Sequence, residues 1–213
     1  MNILVILGHP RPGSFNHAIA DAVYGTVTRN GHRAILHDLY AERFDPCLPA
    51  GEIPEHGRVP EAIRKHCEDL QTADGIVIVH PNWWGQPPAI LKGWIDRVIR
   101  PGVAYRFEEG DSGEGLPIGL LRAKAALVFN TSNTPPEREQ AVFGDPLEVL
   151  WRRCVFEFCG VQTFYRRMFT VVVTSTPQQR RAWLDEVAVL TDTVFPADVV
   201  GTESTAQPRL EER

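Results

Sequence analysis

Three short stretches of the sequence carry residue types that could do chemistry. The first runs Gly8-His9-Pro10-Arg11-Pro12-Gly13-Ser14-Phe15-Asn16. Two glycines and a capping serine ahead of a helix let backbone N–H groups converge at its N-terminus. The unpaired donors and the helix dipole both favour an anion there, a phosphate above all. Ser14 and Asn16 offer side-chain donors, and His9 or Arg11 adds positive charge. An ordinary capped helix with a proline-rich lead-in uses the same residue types. The spacing is neither GxGxxG nor a P-loop with its lysine, which weighs against those two nucleotide-binding motifs.

The second stretch is His80-Pro81-Asn82-Trp83-Trp84-Gly85-Gln86-Pro87-Pro88. Paired tryptophans at a strand end leave large rings in water unless something covers them. A flat heteroaromatic ligand stacked on Trp84 would do so, with the prolines holding backbone N–H groups toward its edge. Capping of the core or of a subunit interface is the competing use, above all for Trp83. The third stretch, Asn130-Thr131-Ser132-Asn133-Thr134-Pro135-Pro136, is dense in small hydrogen-bonding side chains. Such residues also build plain turns, so its weight comes from lying beside the other two.

The elements that must position these loops alternate along the chain. Apolar and β-branched runs give strands at Asn2–Leu7, Arg33–Leu39, Gly75–His80, Lys124–Phe129 and Phe169–Thr174. Helical spacing gives Asn16–Arg29, Glu61–Thr72, Ala89–Ile99, Pro146–Cys159 and about Gln178–Phe195. Tyr40–Pro60 reads as a long surface excursion and Gly110–Gly119 as a loop. Five strands interleaved with helices imply an α/β three-layer sandwich around a parallel sheet of order 2-1-3-4-5. Ligands of such sheets sit beyond the carboxyl ends of the strands, where the three loops fall. One domain over residues 1–200 is expected, followed by a polar, mobile tail over 201–213.

Composition excludes several classes. A net charge of −5 with no basic run argues against nucleic acid and against an acidic membrane surface. No stretch approaches the length of a membrane span, and the short apolar start does not read as a signal peptide. Cys47, Cys67, Cys154 and Cys159 lack metal or redox spacing, and the last two read as small hydrophobes in a buried helix. A cytoplasmic enzyme without disulfides is expected.

The motifs together resemble the flavodoxin-like NAD(P)H:quinone oxidoreductase family. The resemblance rests on Ser14-Phe15-Asn16, Asp38-Leu39-Tyr40, Pro81, the run Pro88-Ala89-Ile90-Leu91-Lys92-Gly93-Trp94, Gly144-Asp145 and Phe158-Cys159-Gly160. It implies a homodimer with a flavin at the subunit interface, FAD more than FMN. It implies that His9, Ser14, Phe15 and Asn16 hold the phosphate end, and that Pro81, Asn82, Trp83 and Trp84 border the isoalloxazine. It further implies hydride transfer from NAD(P)H through flavin N5 to a quinone or similar acceptor. Thr131, Ser132 and Asn133 are the expected donors to the charge of the reduced ring, and the quinol's proton comes from water or His80. Mammalian-type members carry a tyrosine and a histidine where this chain has Glu137 and Phe143, so the substrate end is altered and modest selectivity among acceptors is expected. The competing reading is a regulatory or electron-carrying flavoprotein, such as an accessory subunit of a potassium-efflux system.

Overall fold

A computed structural model describes residues 1–53, 57–108 and 114–197. The expected tail at 201–213 and part of the loop at 110–119 lie outside the described residues. Strands β1 (Asn2–Leu7), β2 (Arg33–Asp38), β3 (Gly75–Pro81), β6 (Ala125–Thr131) and β7 (Thr163–Phe169) form one parallel sheet. Its order is β2-β1-β3-β6-β7, the expected order once a small antiparallel hairpin is set aside. That hairpin, β4 (Tyr105–Arg106) with β5 (Ile118–Gly119), includes residues expected to be loop.

The central strands read as continuous apolar runs because both faces are covered. Leu4, Ile6, Ile76, Ile78, Ala126 and Val128 pack on one face, against α2 (Glu61–Thr72), α3 (Ala89–Val98) and a later helix. Ile3, Val5, Val77, Val79, Leu127 and Phe129 pack on the other, against α1 (Phe15–Arg29) and α6 (Pro177–Val194). Each full burial of such a side chain contributes roughly 1.5–3 kcal/mol. Between β6 and β7, a short helical turn α4 (Pro136–Arg138) winds on as a π-helix over Glu139–Phe143. After Gly144 and Asp145, both at positive φ, α5 (Pro146–Glu148) continues as a second π-helical stretch, Val149–Glu157.

Four expectations are corrected. The fifth strand is Thr163–Phe169, paired with β6 from Ala125↔Thr163 to Thr131↔Phe169, whereas Val171-Val172-Val173 lies in the turn that follows. Cys154 is exposed; only Cys159 of that pair is buried. The Trp94, Ile95 and Val98 spacing predicts apolar surface to spare for a dimer, but Trp94 and Val98 are buried within one chain, so α3 offers none there. The excursion after β2 is also partly built into the core. Arg97 of α3 donates to Glu52 at 3.2 and 2.5 Å, with the two side chains 4% and 2% exposed. Gly93 meets the backbone of Pro46 so closely that an added Cβ would lie 2.3 Å from its carbonyl oxygen. Any side chain at position 93 would push the excursion away.

Candidate functional site

The carboxyl ends of β1, β3 and β6 open into one cavity of about 1250 Å³. The first loop contributes His9, Ser14, Phe15 and Asn16 to its wall, the second Pro81, Asn82, Trp83 and Trp84. Thr131, Ser132 and Asn133 of the third loop line it as well, as does Phe143. Glu137 does not: its side chain is exposed on the outer side of the helical turn. The carboxylate facing the cavity is Glu139, which is buried. The placement of acidic charge at position 137 is therefore corrected to position 139. Sequence reasoning also missed Arg180, which reaches the wall from α6, and Val172 and Val173, which line it from the turn after β7.

Ser14 caps α1, and Gly13 ahead of it takes φ +68°, a conformation that glycine adopts without strain. The first-turn N–H groups of Phe15 and Asn16 have no acceptor within the helix, so they are available to an anion. Ser14 is less free than its sequence position suggests. His17 Nε2 bonds Asp38 at 3.2 Å and its Nδ1 bonds Ser14 Oγ at 2.8 Å. With His17 Nε2–H donating to Asp38, its Nδ1 accepts a hydrogen bond from the Ser14 hydroxyl, leaving the Ser14 oxygen as an acceptor. An anion at this helix end would therefore meet backbone donors first. Asn16 donates to Thr131 Oγ1 at 3.0 Å, tying the first loop to the third. The Phe15 ring leans into the α6 side, 5.8 Å from Trp183. Burial lowers the pKa of His9 below the ordinary histidine value, though Arg11 N–H donates to its Nδ1 at 3.1 Å.

Trp83 and Gln86 exchange backbone hydrogen bonds at 3.0 Å in each direction. Trp84 and Gly85 between them have φ +58° and +70°. This is a tight turn of the mirror-image type, whose first central position normally takes asparagine, aspartate or glycine. A tryptophan there is strained, and its ring is fully exposed. The turn presents an unburied aromatic plane at the cavity mouth.

Behind the wall, Arg166 of β7 bonds Asp145, Glu148 Oε2 at 3.0 Å and Asn130 Oδ1 at 3.1 Å. Asp145 and Glu148 flank Pro146, which lines the cavity, so this guanidinium holds the segment that carries Phe143 and Pro146. Burial pushes the His80 imidazole down to about 4, and nearby Arg166 acts in the same direction.

A second titratable cluster lies on the α2 side of the sheet. His37 bonds Glu42 at 2.8 Å and Asp69 at 3.0 Å, and His66 Nε2 meets Glu42 at 3.2 Å. Two histidines and a carboxylate this close could suggest a metal site. However, His66 Nδ1 accepts the Trp94 indole N–H at 3.2 Å, so the proton of neutral His66 sits on Nε2 and points at Glu42. A metal at Nε2 would require a proton on Nδ1 facing another N–H. The cluster is a closed hydrogen-bond network.

Residues 1–188 match the family described as having the flavodoxin-like fold. The chain belongs to that family. Among its flavodoxin-like relatives, an uncharacterized NAD(P)H oxidoreductase of Haemophilus influenzae is 33% identical over 202 residues, covering 92% of this chain and 97% of that protein. Rat NAD(P)H dehydrogenase [quinone] 1 is 26% identical over 200 residues, covering 83% of this chain and 71% of its own. A solved protein from Streptococcus mutans superposes with a TM-score of 0.78 at 30% identity, covering 91% of this chain and 100% of that one.

Proposed function

We propose that this protein is a flavin-dependent oxidoreductase that passes a hydride from NAD(P)H to a quinone or a similar small acceptor. The observation that carries the reading is the convergence of three features on one cavity: the first turn of α1, the Trp83–Trp84 turn and the Thr131–Asn133 loop. The donor set suits a flavin, with N–H groups for phosphate, an aromatic plane for the ring and small hydroxyls and amides for its polar edge. The names of the relatives support the same chemistry.

A flavin held here would supply two-electron, hydride-accepting chemistry. The protein's part is to bind and orient. Phe15 and Asn16 N–H groups hold phosphate, Trp84 covers ring area, and Thr131, Ser132 and Asn133 offer donors where negative charge develops on reduction. Holding donor and acceptor in near-attack contact accounts for up to about 7–11 kcal/mol of barrier. Glu139 and Phe143 border the acceptor.

FAD is the form we favour, because Arg11 and Arg180 line the cavity without a carboxylate within 4 Å among the described residues, which suits a second phosphate. The same geometry supports a homodimer, since Trp84, Phe143 and Val173 leave apolar surface around the mouth for a second copy to cover. No helix among the described residues is long and apolar enough to cross a membrane, and all four cysteines are free. A cytoplasmic location accords with these free thiols.

The deciding experiment is flavin binding. Purified protein should be yellow or take up about one flavin per chain, released and identified as FAD or FMN by chromatography. It should then oxidise NADH or NADPH with a soluble quinone. Absence of quenching with either flavin would overturn the reading. Replacing Ser14 and Asn16 together by alanine should weaken binding indirectly, because the cap and the Asn16–Thr131 bond that hold the Phe15 and Asn16 N–H groups in place are lost, while the lost cap costs the fold about 1 kcal/mol.

A further inference from the structure

Glu139 is a carboxylate at the wall of a cavity, and its relative exposure is only 2%. One oxygen accepts from Asn82 Nδ2 at 3.0 Å. Asn82 is itself fixed, because its backbone N–H donates to Thr131 O at 2.6 Å across the ends of β3 and β6. No Lys, Arg or His among the described residues lies within 4 Å of the Glu139 carboxylate. The neighbouring charges do not cancel it. Arg166 and Arg152 are paired with Asp145 and Glu148, so neither arginine is a partner for Glu139. The Asp145 N–H donates to the Glu139 carbonyl at 3.3 Å, so this charge and its neighbours belong to one wall. Phe143 and Pro146 beside it on the wall are apolar and offer it no donor. The cations that line the cavity, Arg11 and Arg180, sit on other parts of its wall, in the first loop and on α6.

We propose that Glu139 is a specificity-determining residue: its uncompensated carboxylate, held at the cavity wall by Asn82, turns away acceptors that bear a sulfonate or carboxylate and selects neutral ones. This rests on the oxidoreductase reading above and adds a substrate class to it. Glu139 acts through its field. It need not touch the acceptor or carry a proton, and the quinone gains its hydride and proton as in the parent reaction.

The test compares a neutral 1,4-naphthoquinone with its 2-sulfonate, using the flavin-loaded protein and saturating NAD(P)H. The wild type should favour the neutral quinone at least tenfold in kcat/KM. Glu139→Gln keeps the shape and the acceptor for Asn82 but removes the charge, and should raise the sulfonate-to-neutral ratio at least fivefold. As a readout independent of turnover and of the variant's folding, the dissociation constant of the sulfonate from oxidised wild-type protein is followed through the flavin absorption band. Raising salt should tighten it, because screening weakens repulsion. A ratio that does not move in Glu139→Gln, or sulfonate binding that weakens with salt, would overturn the proposal while leaving the oxidoreductase reading intact. Failure of the wild type to reduce either quinone would overturn both.

Discussion

Trp151 donates its indole N–H to Nε2 of His80 at 2.9 Å, and His80 Nδ1 lies 2.8 Å from the carbonyl of Pro81. The acceptor role of Nε2 places the one proton of neutral imidazole on Nδ1, where Pro81 accepts it. Both nitrogens are committed inside the core. His80 is therefore not a proton source for a quinol.

This arrangement makes stability depend on acid. The folded-state pKa of about 4 lies below the ordinary value of 6.5, so the unfolded chain binds the extra proton first. Stability is fully present above pH 6.5 and falls as the pH drops toward 4, by up to about 3 kcal/mol. Urea midpoints should decline between pH 7 and pH 4.5, and His80→Gln should flatten that decline. A wild-type midpoint that holds steady across this range would contradict the assignment.

His37 works in the opposite window. Burial opposes its charge, but the Glu42 and Asp69 carboxylates outweigh it and raise its pKa above 6.5. Burial likewise opposes the charge of Glu42, yet the N–H groups of His37 and His66 hold its carboxyl at about 2. The stability that His37 contributes is complete below pH 6.5 and is lost as pH rises through its raised value. His37→Gln should remove this alkaline decline from a melting profile taken between pH 6 and 9. Persistence of the decline in the variant would place its origin elsewhere.

Trp84 trades backbone strain for an exposed ring. Asparagine tolerates the left-handed conformation that tryptophan resists, so Trp84→Asn should stabilise the flavin-free fold by about 1 kcal/mol. The same change removes the stacking surface and should weaken flavin binding at least tenfold. Calorimetry on flavin-free protein and quenching titrations check the two halves separately. Tighter binding in the variant would show that the ring obstructs the site.

Arg166→Met strips three acceptors of their donor. Asp145 already has one buried oxygen without a partner, so the loss leaves acid uncompensated against the core. Removing one side of a fully buried pair costs about 3–5 kcal/mol, and the partial exposure of Asp145 and Glu148 brings the expected cost to about 1–3 kcal/mol. A lower urea midpoint is expected, with an altered KM for the acceptor because Phe143 and Pro146 lose their support. A loss below 1 kcal/mol would mean that solvent already screens the cluster.

Much of this was legible in the sequence. β1, β3, α1 and α2 matched to within a residue or two because their apolar period is local and unambiguous. The fifth strand was not, since β7 is an edge strand, half-buried and carrying Arg166 and Arg167. Those arginines are tolerable only because Asp145, Glu148 and Glu186 arrive from distant segments, whereas Val171-Val172-Val173 looks like a strand locally. Position 139 was hidden for a related reason. The chain passes from one α-helical turn into π-helical winding, which changes the angle per residue and turns a different carboxylate inward. Arg180 and Val172 reach the cavity from α6 and from the turn after β7, whose places depend on the complete sheet, so no local pattern could have marked them.

The far end of α6 bears on how the protein is made. The Phe195 ring lies where a Cβ on Gly75 would be only 2.3 Å from it, and Asn30 donates to the Phe195 carbonyl at 2.8 Å. The part of this face that α1 leaves for α6 thus stays open until residues near 195 have left the ribosome. During synthesis the growing chain exposes the apolar edge that Val187 and Phe195 cover to other proteins until that point. Chaperone occupancy on the nascent chain should therefore persist until this last helix emerges and then fall abruptly.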